Sequence, residues 1–306
     1  MQTDIKLYAS HEIDPVKWNS CIANNTNGLI YSQYQYLTLL TKKWSAIVID
    51  DYAAILPLPW NQKWGIRYYQ AIPFIQQLGL IGNIDKNQIP IVLELIKKFA
   101  KYGDLFFNYS NEDLAMTVPT LTKTNLVLDL RQDYISTAKN YKKDLTQNVE
   151  KAKKHHSIYQ TNNQFSNTLE IYQQQYGNRF NWVSQSDFQK LTEVLTFYAS
   201  TDQCLIRELI DQTTEELLAS AILLKDNKRL YLLINATTPK GRQQSSNHLL
   251  IDSIIHEFSG TPLFLDFEGS EIQGVQDFYS NFHPQNQPYF HFHHNRLVWP
   301  LKLLKK

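Results

Sequence analysis

The feature that most constrains this chain is an order of elements that occurs twice. In the first half, helical patterns over 14–23 and 32–41 lead into apolar runs over 44–50, 52–60 and 64–72, which read as three strands. A small-residue loop over 76–82 follows, then an amphipathic helix that Pro90 opens, and a strand over 104–109. The second half carries helices over 136–156, 166–176 and 186–198, strands over 204–211, 216–225 and 229–235, a loop over 237–247, a helix to 258 and a strand over 262–267. Three strands, a polar loop, a helix and a strand thus appear twice, in order and length rather than in letters. The expectation is an α/β chain of two mixed sheets with helices on both faces. Its 306 residues suit two ordinary domains, drawn at 1–132 and 133–289, with 290–306, holding a candidate strand from Phe290 to Leu301, completing the first.

Charge removes several partner classes. Lys and Arg number 30 against 29 Asp and Glu, so no global field holds the protein on nucleic acid or an anionic membrane, and any basic site must be local. The two cysteines, Cys21 and Cys204, are far apart and support neither a disulfide framework nor a cysteine-based zinc site. The first residues lack the basic and apolar regions of a secretory signal, and no run reaches about 18 apolar residues. A soluble cytoplasmic protein without a membrane span is the expectation. Aromatic residues, 13% of the chain, suffice to fill cores and to line a cleft.

Four segments could carry chemistry. Over 136–156, Ala138, Tyr141, Leu145, Val149 and Ala152 form one stripe while Lys139, Lys143, Lys151 and Lys154 project opposite, which reads as a solvated face or as a surface for phosphate. The loop before the second-half helix holds Lys240 and Arg242 and ends on Ser245, Ser246 and Asn247. Free backbone N–H groups there suit a pyrophosphate, or Ser246 or Asn247 simply caps the helix. Asp266 and Glu268 stand two apart at a strand end, so an alternating strand places both on one face as base and orienting partner, as an ammonium cradle, or as acceptors for loop N–H groups. His291 and His293 alternate along a strand, but no Cys partner or HExxH-type spacing accompanies them, and no metal is expected. Phosphate-binding Walker, serine-elbow and dinucleotide signatures are absent from the sequence.

Several runs together resemble the FemAB-like branch of the GNAT (Gcn5-related N-acetyltransferase) superfamily. They are Asn140 to Lys154, Leu217-Leu-Ala-Ser-Ala221, Asn247 to Ile255, Asp266-Phe-Glu-Gly-Ser270 and Phe278-Tyr-Ser-Asn-Phe282, with looser agreement at Asn27-Gly-Leu-Ile-Tyr-Ser32 and Gln77-Leu-Gly79. The resemblance implies two tandem GNAT-like modules and transfer of an acyl or aminoacyl group to an amine. The donor would be an acyl-CoA such as acetyl-CoA, or an aminoacyl-tRNA, although the neutral charge lends tRNA no support. The acceptor would be a small-molecule or cell-wall-precursor amine. By position, the strand from Arg229 to Asn235 lines the donor groove. Lys240, Arg242, Ser245, Ser246 and Asn247 face its phosphates, and Lys143 and Phe278 touch substrate. Asp266 or Glu268 deprotonates the amine, Tyr279 returns a proton to the leaving group, and N–H groups at a bulged strand hold the oxyanion. Two positions depart from the family pattern: Arg242-Gln-Gln-Ser-Ser246 has serines where acyl-CoA members have glycines, and Tyr279 stands where bridge-forming members carry Lys. The alternative is a non-catalytic ligand-binding protein on a degenerate GNAT scaffold. An open groove with converging acidic and phenolic groups separates the first reading from the second, in which side chains fill the groove.

Overall fold

Three sheets organise the computed structural model, which describes residues 4–176, 183–269 and 271–304. Ser270, which ends one of the runs quoted above, lies outside them. The chain divides into two compact units, Met1–Thr124 with Pro288–Lys306, and Asn125–Gln287. They part at Thr124/Asn125, ahead of the expected seam at 132/133, because Leu126–Asp129 pairs with Phe264–Asp266 inside the second unit.

The first unit contains an antiparallel sheet in the order Ile5–Ala9, Trp44–Ile49, Ala54–Pro59, Ile81–Gly82. Its second sheet runs Asn61–Lys63, Ile66–Tyr69, Tyr102–Phe107, Tyr289–Asn295, Thr120–Lys123, with Ile66–Tyr69 and Tyr102–Phe107 parallel. The helix Ile89–Phe99 buries Ile89, Val92, Leu93 and Ile96, the i, i+3, i+4, i+7 face of an amphipathic helix. Gly103 lies at φ +125, and a Cβ there would stand 2.0 Å from the Tyr69 carbonyl oxygen, so the parallel pair closes only around glycine.

The second unit is built on a seven-stranded sheet in the order Ser157–Asn162, Cys204–Asp211, Leu217–Lys225, Arg229–Thr237, Phe264–Asp266, Leu126–Asp129, Gln285–Asn286. Its neighbours are antiparallel except Arg229–Thr237 and Phe264–Asp266. That parallel pair is joined by the helix Ser246–Phe258, whose Leu250, Ile251, Ile254 and Ile255 are wholly buried against the sheet and against Leu145, Val149 and Ala152 of the helix Lys143–Lys153.

Local pattern and structure differ at several places. The helix expected over 136–156 is two helices, Tyr134–Ala138 and Lys143–Lys153. Lys142 turns extended between them and its N–H bonds to Asn281 O at 3.0 Å, so a tertiary bond replaces a helical one. The loop over 237–247 contains a helical turn, Pro239–Gln243, capped by Thr238 Oγ1, which accepts from Gly241 N. The strands expected over 64–72 and from 290 onward are confined to Ile66–Tyr69 and Tyr289–Asn295. Ser157–Asn162, missing from the sequence reading, is an edge strand whose short mixed pattern carries little periodic signal.

Candidate active site

The parallel strands of the second unit stay paired only from Arg229↔Phe264 to Tyr231↔Asp266. Beyond that point they separate, and a cavity of about 580 Å³ opens between them. Leu232, Leu233, Asn235 and Thr237 line it from one strand, and Phe267, Glu268 and Gly269 from the other. Tyr172 and the helix Gln273–Tyr279, through Val275, Phe278 and Tyr279, supply the walls, and Asn247 enters from the start of the Ser246–Phe258 helix.

Two backbone irregularities shape this opening. Ile222 faces Ile234 while Leu223 faces Leu232, so Leu233 has no residue opposite it and forms a β-bulge. On the other wall the strand ends at Asp266, and Glu268 adopts a left-handed φ of +52. The alternation that would have put Asp266 and Glu268 side by side therefore stops. A non-glycine residue held there marks a position that the surroundings over-determine.

The two acids consequently have different environments. Asp266 is fully buried and does not line the cavity. Arg229 Nη1 donates to its Oδ2 at 2.6 Å, Asn125 Nδ2 donates to the same oxygen at 3.1 Å, and Arg229 Nη2 reaches Gln287 Oε1 at 2.5 Å. Asp266 Oδ1 accepts the N–H of Glu268 at 3.3 Å, which ties the ion pair to the turn. Glu268 faces the cavity with Oε1 shut off from solvent, and burial pushes its carboxyl up to about 8. The phenol of Tyr279 accepts from Asn235 Nδ2 at 3.2 Å, and its ring stacks on Phe267 with centroids 4.7 Å apart. Phe278 packs edge-on against Tyr279 and His248.

Of the residues singled out in the sequence, Glu268, Tyr279, Asn235, Asn247 and Phe278 meet at this cavity. The others are placed elsewhere. Lys240 Nζ is bonded to Glu216 at 2.5 Å and Asp211 at 2.9 Å, and the Glu216 bond, before the Asp211 bond, holds its pKa above the usual lysine value. Arg242 is exposed, Ser246 is buried as the first helical residue, and Ser245, at φ +58, donates from Oγ to Asn148 Oδ1 at 2.9 Å. Lys143 is exposed at the first position of its helix. His291 and His293 share Asp104 Oδ1 at 2.8 and 2.9 Å. The His291 bond, before the His293 bond, holds the Asp104 carboxyl below its usual range. Among the described residues no group of three or more His, Cys, Asp or Glu could hold a metal ion. Tyr172, Leu233 and the Arg229–Asp266 pair escaped the sequence reading. A lone arginine heading the otherwise apolar run Arg229-Leu-Tyr-Leu-Leu-Ile234 was the available signal, since a charge entering a core needs a partner there.

The polar lining is rich in acceptor oxygens. Among the described residues, none that lines the cavity is a Lys or Arg. Asn235 Oδ1 and Asn247 Oδ1 are buried and accept no hydrogen bond from the described residues, and the carboxyl of Glu268 adds further acceptor oxygens. Aromatic rings close the rest. Such a lining accepts N–H groups.

Solved structures share the fold of this chain. FemX matches with a TM-score of 0.69 at 11% identity, over 99% of each chain. The fold is that of the FemAB-like GNAT proteins. A tandem GNAT protein from the clavulanic acid biosynthesis pathway matches at 0.53, with 9% identity over 95% of this chain and 98% of the other. The C-terminal domain of a lysylphosphatidylglycerol synthetase from Agrobacterium fabrum matches at 0.51, with 9% identity over 96% and 95%. No protein-family model and no curated protein matches the sequence. At these identities the likeness is one of fold, two tandem GNAT-like modules on a single chain.

Proposed function

We propose that the second unit is an N-acyltransferase module that moves an acyl or aminoacyl group onto an amine at the Glu268 cavity. The observation that carries this reading is Glu268 itself, held on a left-handed turn in the fork of the strands with its carboxyl shifted to about 8 by burial. A carboxyl so placed is poised near neutral pH for proton transfer. FemX and the lysylphosphatidylglycerol synthetase domain, as proteins of this fold, favour an aminoacyl or acyl donor, and a cell-wall-precursor amine is the acceptor this reading takes from the FemAB-like resemblance.

In this reading the acceptor enters as an ammonium group, with Asn235 Oδ1, Asn247 Oδ1 and Glu268 as acceptors. Its positive charge favours the ionised carboxylate, which takes one proton and leaves a neutral amine. The amine nitrogen attacks the donor carbonyl carbon, and the Leu233 N–H at the bulge stabilises the oxyanion. As the tetrahedral intermediate collapses, the bond to the leaving group breaks and Tyr279 donates its phenolic proton to it, the phenolate then takes the remaining extra proton from the attacking nitrogen, which becomes the amide, and Glu268 releases its proton to solvent. The Asn235 amide bonded to the phenol oxygen strengthens that donation. Asp266 acts through the backbone, keeping Glu268 on its turn. Lys240 is spent on Asp211 and Glu216, so the reading assigns it no donor contact, and the identity of the donor rests on the assay below.

An unfilled cavity of about 580 Å³ with a base and a phenol on its wall supports the enzyme over the binding relic. The test is product formation. Incubation with acyl-CoA and aminoacyl-tRNA donors and a panel of primary amines, read by mass spectrometry, should yield an acylated amine with one donor class. Glu268→Gln and Tyr279→Phe should each lower its rate by about 10² or more. Saturable amine binding with no product from any donor, unaltered in Glu268→Gln, is the result that favours the relic.

A further inference from the structure

We propose that the first unit carries a docking surface for an anionic lipid bilayer, at the end of its five-stranded sheet where Tyr102–Phe107 begins. Three strands bring their basic residues into one row there. Lys101 N donates to Arg67 O at 2.9 Å and Arg296 N donates to Lys101 O at 2.7 Å, so Arg67, Lys101 and Arg296 stand side by side across adjacent strands. Because Ile66–Tyr69 runs parallel to Tyr102–Phe107 and Tyr289–Asn295 runs antiparallel, three segments leave the sheet at the same end. They are the turn at Trp64, the close of the Ile89–Phe99 helix, and the segment after Asn295.

Those segments are both cationic and apolar. Lys63, Lys98 and Lys302 join the row, and the helix also ends on Lys97. One carboxylate, Glu94, is bonded into the group, 3.2 Å from Arg296 and 3.9 Å from Lys98. Rings hold the cations in place: Arg67 lies 4.9 Å from the centroids of Trp60 and Phe99, and Lys63 lies 4.8 Å from that of Trp64. Beside them Trp64, Trp299 and Val298 are 84%, 79% and 73% exposed. On a protein of net charge +1, exposed tryptophans at the tips of two segments with a basic row behind them are an uncompensated local feature.

A bilayer interface satisfies each part of it. Indole rings partition to the headgroup level, Val298 reaches the acyl boundary, and the basic row meets anionic headgroups. RNA would use the charge and could stack on the indoles, but it leaves the exposed valine without a partner.

The full chain, sedimented with vesicles of phosphatidylcholine containing about one-third phosphatidylglycerol, should partition with them and not with pure phosphatidylcholine, and added salt should reverse it. Trp fluorescence should shift to the blue on binding. Trp64→Ala with Trp299→Ala, both at exposed positions, should remove that shift and most of the binding at an unchanged Tm. Arg67→Glu and Lys101→Glu should each weaken partitioning by about fivefold or more. Equal binding to both vesicle types, binding undiminished in the double tryptophan variant, or capture by total tRNA with no vesicle binding would each overturn the proposal.

Discussion

Glu268 concentrates the argument at the scale of single residues. Its carboxyl is raised because burial penalises the charged form. A carboxyl-carbon NMR titration of the labelled residue should show a midpoint near 8, moving down when an amine ligand adds positive charge to the cavity. A midpoint near 4.5, unmoved by amines, would remove the basis of its role. The same shift sets a stability profile. A folded value of about 8 above an unfolded 4.5 means the native state holds an extra proton between them. That stabilisation is complete below about pH 4.5 and is lost as pH rises through 8, by on the order of a few kcal/mol. Glu268→Gln should therefore unfold at a higher denaturant concentration than the parent at pH 9, with the difference shrinking toward pH 5. Parallel profiles would contradict the burial argument.

Elements decide which of these residues can meet. The fork of Arg229–Thr237 and Phe264–Asp266 depends on a pair that begins in register and then separates, and the buried Arg229–Asp266 bridge sits where the register ends. Arg229→Met should cost about 3–5 kcal/mol in chemical unfolding by leaving Asp266 uncompensated, whereas Arg229→Met with Asp266→Leu should restore most of the loss. A single variant as stable as the parent would show that the bridge does not hold the fork. Elements are also where the sequence was most and least legible. The strand triplet 204–237 declares itself through long apolar runs, and Asn235, Glu268, Phe278 and Tyr279 could be placed near one another by resemblance. The separation of Asp266 from Glu268 could not, because it follows from a left-handed residue and a register limit that strand periodicity does not encode. The break at 139–142 and the diversion of Lys240 to Asp211 and Glu216 likewise come from partners distant in sequence.

At the scale of the whole molecule, the doubled order of elements corresponds to two tandem GNAT-like modules, and each contains a parallel strand pair flanked by antiparallel neighbours. The modules differ in what they surround with those strands. The second opens an acceptor-rich, aromatic cavity, and the first ends its sheet in exposed indoles and a basic row. In the proposed reading that division gives one chain a place for chemistry and a separate surface for docking, with a near-neutral net charge masking the second in composition. No helix among the described residues is long and apolar enough to cross a membrane. The claim on which the account turns is amine acylation by Glu268. It is tested most directly by the initial rate of acylated-amine formation in the parent and in Glu268→Gln, measured across pH with whichever donor class supports turnover. The account predicts a parent rate that rises as pH passes through the carboxyl midpoint, and a Gln variant slower by about 10²–10⁴ and without that rise. A Gln variant that turns over at the parent rate with the same pH profile would contradict it.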